Sequence, residues 1–96
     1  MKPSEALRSH RLAVLALAAG IGAGNVRVFG SVAHGLDREG SDVDLLVDVP
    51  KGTTLLDMVR LQSALEKELG VAVDVLTAGD ISPRFRSRVL MEARPL

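Results

Sequence analysis

Short apolar runs that alternate with longer segments of helical periodicity are the feature that most constrains how this chain can fold. The runs cover residues 25–29, 42–49 and 71–77, and the helical segments cover residues 3–19, residues 54–69 and a stretch that begins near residue 80. Pro50 and Gly52 end the second run, because neither residue continues the interior of a sheet. Strands that alternate with helices predict an α/β fold, with a mixed sheet of three to four strands flanked by helices.

The length and charge of the chain limit its organisation and its partners. A chain of 96 residues buries only about 60–65% of its unfolded surface, so we expect one domain, residues 1–96. Twelve basic residues balance twelve acidic ones, which leaves no electrostatic footprint for a nucleic-acid backbone. Protein or small-molecule acceptors are therefore favoured over DNA or RNA. A hydrophobic content of 47% suggests that another chain covers some apolar surface.

Residues 12–24 have the composition of a secretory signal sequence, because an apolar segment follows several basic residues. We expect a core helix instead, since this segment is shorter than the roughly 20 residues that span a bilayer. No membrane partner is predicted. The chain has no cysteine and only two histidines, so zinc sites and thiol nucleophiles are excluded.

Two carboxylates stand at the head of the second run. Asp42 and Asp44 are two residues apart, so in a strand both side chains point to the same face, with α-carbons roughly 7 Å apart. Their repulsion is relieved by a hard divalent cation such as Mg²⁺, which is commonly held by carboxylates and substrate phosphates. The spacing therefore suits phosphoryl or nucleotidyl transfer. The alternative is that Asp42 belongs to the solvated end of a turn.

Gly30 and Ser31 follow the first run and precede a short stretch, residues 31–34, that is predicted to form a helical turn. Ser31 is predicted to be the N-cap of this turn. Free backbone N–H groups at a helix start can bind a triphosphate, and Gly30 lets a phosphate approach the backbone closely. The alternative is an ordinary turn between a strand and a helix.

Asp74 lies within the third apolar run, where most neighbours belong in a core. An unpaired buried carboxylate costs free energy, so this residue needs an explanation. If the third strand lies beside the second, Asp74 can complete the metal site and accept the proton of an attacking hydroxyl. The alternative is an aspartate on an edge strand that faces water.

Together, Gly30-Ser31, Asp42-X-Asp44 and the later Asp74 resemble the DNA polymerase beta-like nucleotidyltransferase superfamily, and the chain is similar to its minimal nucleotidyltransferases. The resemblance runs from the leading helix through FGSVAHG and SDVDLLVDV to residues 89–96. It implies a small nucleotidyltransferase fold in which Gly30 and Ser31 hold the triphosphate. It also implies that Asp42, Asp44 and Asp74 bind Mg²⁺, with Asp74 as the base.

The resemblance further implies a biological role. Members of this group are similar to antitoxins that neutralise a HEPN-domain ribonuclease toxin by transferring AMP from ATP to one of its tyrosines. We therefore expect a cytoplasmic Mg²⁺-dependent nucleotidyltransferase that forms a hetero-oligomer with such a toxin. One alternative is a non-catalytic antitoxin that occludes the toxin by binding. A less favoured alternative is a transferase that acts on RNA ends or small molecules.

Some residues depart from the family pattern. Many relatives carry Arg or Lys at the position of His34, and Arg38 is a candidate to compensate for the missing charge. The C-terminal segment contains four basic residues: Arg84, Arg86, Arg88 and Arg94. Two interpretations are open. These residues either contact a triphosphate or an acidic partner, or they lie on a solvated helix face. With only Phe29 and Phe85 as aromatic residues, we expect adenine to rest on aliphatic side chains.

Overall fold

The computed structural model describes residues 1–96 and contains five helices and four strands. The helices are α1 (Pro3–Ser9), α2 (Arg11–Ala19), α3 (Gly30–Ala33), α4 (Leu55–Leu69) and α5 (Pro83–Glu92). The strands are β1 (Gly24–Phe29), β2 (Val43–Asp48), β3 (Val73–Leu76) and β4 (Arg94–Pro95), and a 3-10 turn covers Ala78–Asp80.

The strands form a mixed sheet in the order β3-β2-β1-β4. β2 is antiparallel to β1 and parallel to β3, while β4 pairs antiparallel with β1. The α/β architecture and the neighbouring positions of the second and third predicted strands are confirmed. The parallel pair matters most for function, because equivalent residues of β2 and β3 lie side by side.

The two faces of the sheet have different roles. Residues on one face, including Val28, Leu45 and Val75, pack under α1, α2 and α4 in a core of 16 buried residues. The alternation of side chains places Phe29, Asp44, Leu46, Asp74 and Leu76 on the opposite face. The helices therefore stabilise one face and leave the carboxylates on the other.

Local capping explains why α4 has the predicted bounds. The Thr54 hydroxyl accepts a hydrogen bond from the backbone N–H of Asp57 at 3.1 Å, and Asp57 Oδ2 accepts one from the Thr54 N–H at 2.9 Å. These two bonds form a capping box. Gly70 ends the helix with a left-handed φ of 70°, a conformation that glycine adopts at low cost.

Other element boundaries differ from the predictions. The expected single helix over residues 3–19 is interrupted at His10, whose φ is −111°. The periodicity of apolar residues does not reveal this break, because His10 keeps backbone hydrogen bonds to residues on both sides. β2 begins at Val43 and β3 at Val73, later than expected. β4 was not predicted, since two residues are too few to show an alternating pattern.

Residues 12–24 are not one apolar helix. α2 ends at Ala19, and it buries Val14 and Ala18 while Leu12 is 74% exposed. None of the helices combines the length and the apolar character that crossing a membrane requires. Several other large apolar side chains are also exposed, among them Leu55, Leu56, Val59 and Met91.

Candidate active site

The parallel pairing of β2 and β3 brings two of the predicted carboxylates together. Asp44 and Asp74 are direct partners in the strand register, so their side chains leave the same face of the sheet. Asp44 is partly buried, whereas Asp74 is exposed on the edge strand. The arrangement places one carboxylate inside the site and one at its solvent boundary.

The electrostatics of this pair are unfavourable for two negative charges. Burial, followed by the charges of Asp74 and Asp42 and a hydrogen bond with the Asp74 side chain, raises the pKa of Asp44 to about 6. A hydrogen bond between two carboxyl groups requires a proton on one of them, which agrees with the direction of the shift. Asp44 and Asp74 therefore form a site with excess negative charge.

Asp42 and Asp48 occupy positions at opposite ends of β2 and differ in their surroundings. Asp42 lies one residue before the strand and is exposed, but its charge still acts on Asp44. Asp48 pairs with Arg27, with 2.8 Å between Oδ1 and Nη2. The acidic residue at the far end of the strand is thus neutralised by the protein itself, unlike the pair at Asp44.

The chemistry of this donor set fits a hard divalent cation. Carboxylate oxygens are the ligands that Mg²⁺ prefers, commonly one or two of them together with substrate phosphates. No group of three or more acidic, histidine or cysteine side chains is already arranged to hold an ion, so Asp42 does not complete a three-carboxylate cluster in this structure. The Asp44–Asp74 pair can supply two ligands to a cation.

Gly30 lies directly against Asp44, and its lack of a side chain makes this contact possible. A Cβ atom added at Gly30 would overlap the Asp44 carboxylate, and the φ of Gly30 is 72°. Both observations require glycine at this position. The turn after β1 and the carboxylate of β2 are therefore neighbours, as the sequence motif implies.

The prediction that Ser31 is the N-cap of the following turn was wrong. α3 begins at Gly30, because the His34 N–H donates to the Gly30 carbonyl oxygen, and Phe29 occupies the capping position without a side-chain hydrogen bond. Gly30, with a φ of 72°, makes the sharp change of direction between β1 and α3. Ser31 is the second residue of the turn and is partly buried, next to the site.

Next to Gly30, a cavity of about 340 Å³ separates the turn after β1 from α5. It is lined by Phe29, Gly30, His34, Phe85, Arg88, Val89 and Glu92. Both aromatic residues of the chain, Phe29 and Phe85, line this cavity, and the expectation that adenine rests on aliphatic side chains stays a prediction. No local sequence signal connects these residues.

A larger cavity, of about 540 Å³ between α4 and the other ends of β2 and β3, contains none of the predicted site residues.

The loop between α3 and β2 is anchored by a residue that the sequence analysis missed. The Asp37 carboxylate is buried and accepts a hydrogen bond from the backbone N–H of Ser4 at 2.9 Å, which lowers its pKa. Arg38 is exposed, and its backbone N–H donates to Ser41 Oγ at 2.9 Å. Asp37 therefore fixes the loop that leads to Asp42, while the Arg38 side chain stays in solvent.

Comparison with known proteins agrees with this geometry. A family model described as the nucleotidyltransferase domain matches residues 8–96. The chain belongs to the nucleotidyltransferase family. A Methanocaldococcus jannaschii protein, provisionally named protein adenylyltransferase MJ0435, is 48% identical over 66 residues, which are 69% of this chain and 71% of the relative. Protein adenylyltransferase MntA of Thermococcus cleftensis is 37% identical over 71 residues, which are 74% of this chain and 72% of that protein.

Comparison with solved structures indicates a narrower group within this family. A structure provisionally described as a minimal nucleotidyltransferase superimposes with a TM-score of 0.86 and 56% identity, covering 97% of this chain and 95% of that one. The chain is thus a minimal nucleotidyltransferase, and the expected fold and enzyme class are confirmed. A crystal structure of a toxin-antitoxin with AMP-PNP has a TM-score of 0.74 at 19% identity, covering 85% of this chain and 68% of that one. At this identity the likeness shows a shared fold.

Proposed function

We propose that this nucleotidyltransferase transfers AMP from ATP to a protein hydroxyl group, namely a tyrosine of a HEPN-domain toxin that it neutralises as an antitoxin. Two similar proteins carry the name protein adenylyltransferase, and a protein with the same fold is described as a toxin-antitoxin with AMP-PNP. The observation that carries the proposal is the pairing of Asp44 with Asp74 directly beside Gly30. We place the reaction in the cytoplasm, where ATP is found, with residues 1–96 acting as one domain.

Each site residue has a distinct role in this proposal. Gly30 and Ser31 bind the triphosphate through backbone N–H groups and the serine hydroxyl. Asp42, Asp44 and Asp74 hold Mg²⁺, for which Asp42 must turn its exposed side chain towards the pair. Mg²⁺ supplies charge neutralisation at the reacting phosphate and at the leaving group.

The reaction is a displacement at the α-phosphorus of ATP. The tyrosine oxygen forms a bond to this phosphorus, the bond to the bridging oxygen of the β-phosphate breaks, and pyrophosphate leaves. Asp74 takes the hydroxyl proton, because its side chain is exposed where a partner protein can approach. Asp44 is partly buried and holds its position against Gly30.

Intact mass spectrometry of the partner toxin tests this function. We expect a gain of one or more adenylyl units after incubation with the wild-type chain, Mg²⁺ and ATP, and fragmentation should locate each unit on a tyrosine. The Asp42→Asn/Asp44→Asn double variant should give no mass gain. Asp48→Asn is the matched control, because Asp48 lies on the same strand but pairs with Arg27, and it should transfer AMP normally. Absence of any mass gain with the wild type would reject the transferase assignment.

A second candidate is neutralisation by binding alone. It is favoured by exposed apolar side chains on the first two turns of α4, where Leu55 is 80%, Leu56 55% and Val59 52% exposed. Such a surface can contact a partner without any carboxylate. If the Asp42→Asn/Asp44→Asn variant still inhibits the toxin and forms a stable complex with it, occlusion rather than transfer is the mechanism.

A further inference from the structure

Three arginine side chains line a cavity of about 310 Å³ that the candidate active site does not use. Arg8 comes from the last turn of α1, Arg11 from the start of α2 and Arg94 from β4. The other side chains that line the cavity are uncharged. Three positive charges therefore meet at this edge of the sheet without a balancing acidic side chain.

The same cavity has apolar walls. Leu7 and Val28 are buried, and Val32 is partly buried. Arg94 is the register partner of Val28, so both side chains leave the face of the sheet that α1 covers. Apolar surface bordered by arginines is typical of protein interfaces, whose rims are polar and in which Arg is enriched.

Two of the three arginines are available to a partner. Arg11 Nη2 donates to the carbonyl oxygen of Leu96 at 3.1 Å, whereas Arg8 and Arg94 form no ion pair within the protein. Both side chains belong to exposed residues. A guanidinium group presents a planar fork of donors that matches the two oxygens of a carboxylate.

We propose that this cavity binds an amphipathic acidic segment of the partner protein, with an apolar side chain against Val28 and Val32 and carboxylates on Arg8 and Arg94. Addition of a β-strand does not fit this edge, because β4 has only two residues and Pro95 has no N–H to donate. Single-stranded nucleic acids stack their bases on aromatic side chains, and both aromatic residues of the chain line a different cavity.

The position of the cavity suits the docking of a protein that carries the acceptor. Val32 of α3 lines it, while Gly30 of the same helix lines the cavity beside α5. α3 is a single turn, about 6 Å long. Phe29, Asp44 and Asp74 are register partners across β1, β2 and β3, so β1 lies roughly 10 Å from Asp74. A partner held at this edge can therefore reach the candidate active site.

This inference rests on the proposed function in taking the toxin as the partner. The competing explanation is that Arg8 and Arg94 are solvated surface residues, with Arg8 stabilising the C-terminal end of α1. That explanation predicts effects on stability and none on toxin affinity. The exposed apolar residues Leu55, Leu56 and Val59 of α4 do not line this cavity, so variants at the arginines leave that second surface intact.

Isothermal titration of the chain with the partner toxin, without ATP or Mg²⁺, tests the surface. Arg8→Gln/Arg94→Gln should weaken the complex roughly tenfold at about 0.05 M NaCl, because two exposed ion pairs are lost. The loss should shrink at about 0.5 M NaCl, where exposed charges are screened. Arg8→Lys/Arg94→Lys keeps both charges and should bind within about threefold of the wild type.

Lys51→Gln/Arg60→Gln is the matched control. It removes the same charge from two exposed residues that do not line the cavity, and it should bind the toxin like the wild type. Thermal unfolding of each variant checks that the fold is retained.

Carbodiimide cross-linking tests the chemistry of the bound segment. The amines that Arg8→Lys/Arg94→Lys introduces at positions 8 and 94 react with neighbouring carboxylates. Mass spectrometry of the cross-linked complex should join these two positions to Asp or Glu residues of the toxin.

Several results would overturn the inference. They are unchanged toxin affinity in Arg8→Gln/Arg94→Gln, an equal loss in the control variant, and cross-links that omit both positions. Salt-dependent binding of a single-stranded RNA that requires the two arginines, with toxin affinity independent of them, would assign the cavity to nucleic acid instead.

The outcomes also separate this inference from the proposed function, because the titration contains no ATP. A complex that depends on Arg8 and Arg94, without AMP transfer, would support the inference and reject the transferase function. AMP transfer to a toxin whose affinity is independent of both arginines would do the reverse. A wild type that forms no complex with the toxin would overturn both.

Discussion

At the scale of single residues, the ionised form of Asp44 is unfavourable for stability, although the proposed chemistry requires it. Its pKa is raised to about 6 by burial and then by the charges of Asp74 and Asp42, so the native state resists its ionisation. Asp44→Asn removes that charge and lets an amide N–H donate to Asp74. We expect the metal-free variant to be more stable than the wild type at about pH 7.5 by roughly 1–2 kcal/mol, after allowance for partial exposure, while AMP transfer is lost.

Urea unfolding in the absence of metal measures this gain, and mass spectrometry of the partner measures the loss. Asp48→Asn is the control, because it removes an aspartate that pairs with Arg27 and should not stabilise the protein. A metal-free Asp44→Asn protein that is less stable than the wild type would show that the carboxylate is not under electrostatic strain.

Gly30 gives a second prediction at this scale, because two separate constraints act on it. Gly30→Ala forces a side chain into the Asp44 carboxylate and into a φ of 72°. We expect a loss of stability of about 2–4 kcal/mol and loss of transfer. Gly70→Ala isolates the backbone strain, since Gly70 has a φ of 70° and open space around it, and should cost about 1 kcal/mol with transfer retained. Similar unfolding midpoints for the two variants would contradict the contact with Asp44.

At the scale of elements, α4 depends on local signals and was predicted well. Thr54 and Asp57 form the capping box and Gly70 ends the helix, and each signal lies within a few residues of its effect. Thr54→Ala should lower stability by about 1 kcal/mol through loss of the cap and leave transfer unchanged, because Thr54 lines the cavity remote from the predicted site residues. Chemical unfolding measures this change. Ser63→Ala is the control, because Ser63 is exposed in the middle of α4. An equal loss of stability in this variant would show that the missing cap is not the cause.

Sequence patterns revealed the carboxylates and the glycine turn because each chemistry-bearing residue stands out from an apolar run. Asp44 and Asp74 interrupt strands, and the parallel pairing that joins them follows from the alternation of strands and helices. The contact between His34 and Glu92 joins residues 58 positions apart, and no local pattern encodes it. The same holds for Phe29 and Phe85, which are far apart in the sequence but line the same cavity.

At the scale of the whole molecule, the two faces of the sheet have different roles: one stabilises the fold and the other carries the residues of the proposed chemistry. One face carries the core under α1, α2 and α4, and the other carries Asp44 and Asp74. Because the second face has few groups that balance these charges, the stability of the whole protein depends on what neutralises them. Protons do so at low pH, and the divalent cation of the proposed site would do so at neutral pH.

This dependence predicts how pH and Mg²⁺ act together on thermal unfolding. The native pKa of Asp44, about 6, lies above the ordinary value of 3.8. Its contribution to stability is therefore complete below about pH 3.8 and is lost as the pH rises through about 6. In the proposed site Mg²⁺ binds the ionised pair, so protons compete with it at low pH. We expect saturating Mg²⁺ to raise Tm clearly at about pH 8 and much less at about pH 5.

Asp44→Asn should remove most of this difference, because it removes both the titrating carboxylate and a metal ligand. Asp48→Asn should behave like the wild type, since Arg27 already balances Asp48. Differential scanning calorimetry at the two pH values, with Mg²⁺ and with a chelator, measures all three proteins. An equal rise in Tm for the wild type and Asp44→Asn would place the cation elsewhere on the molecule, because only a site that includes Asp44 couples the cation to this proton.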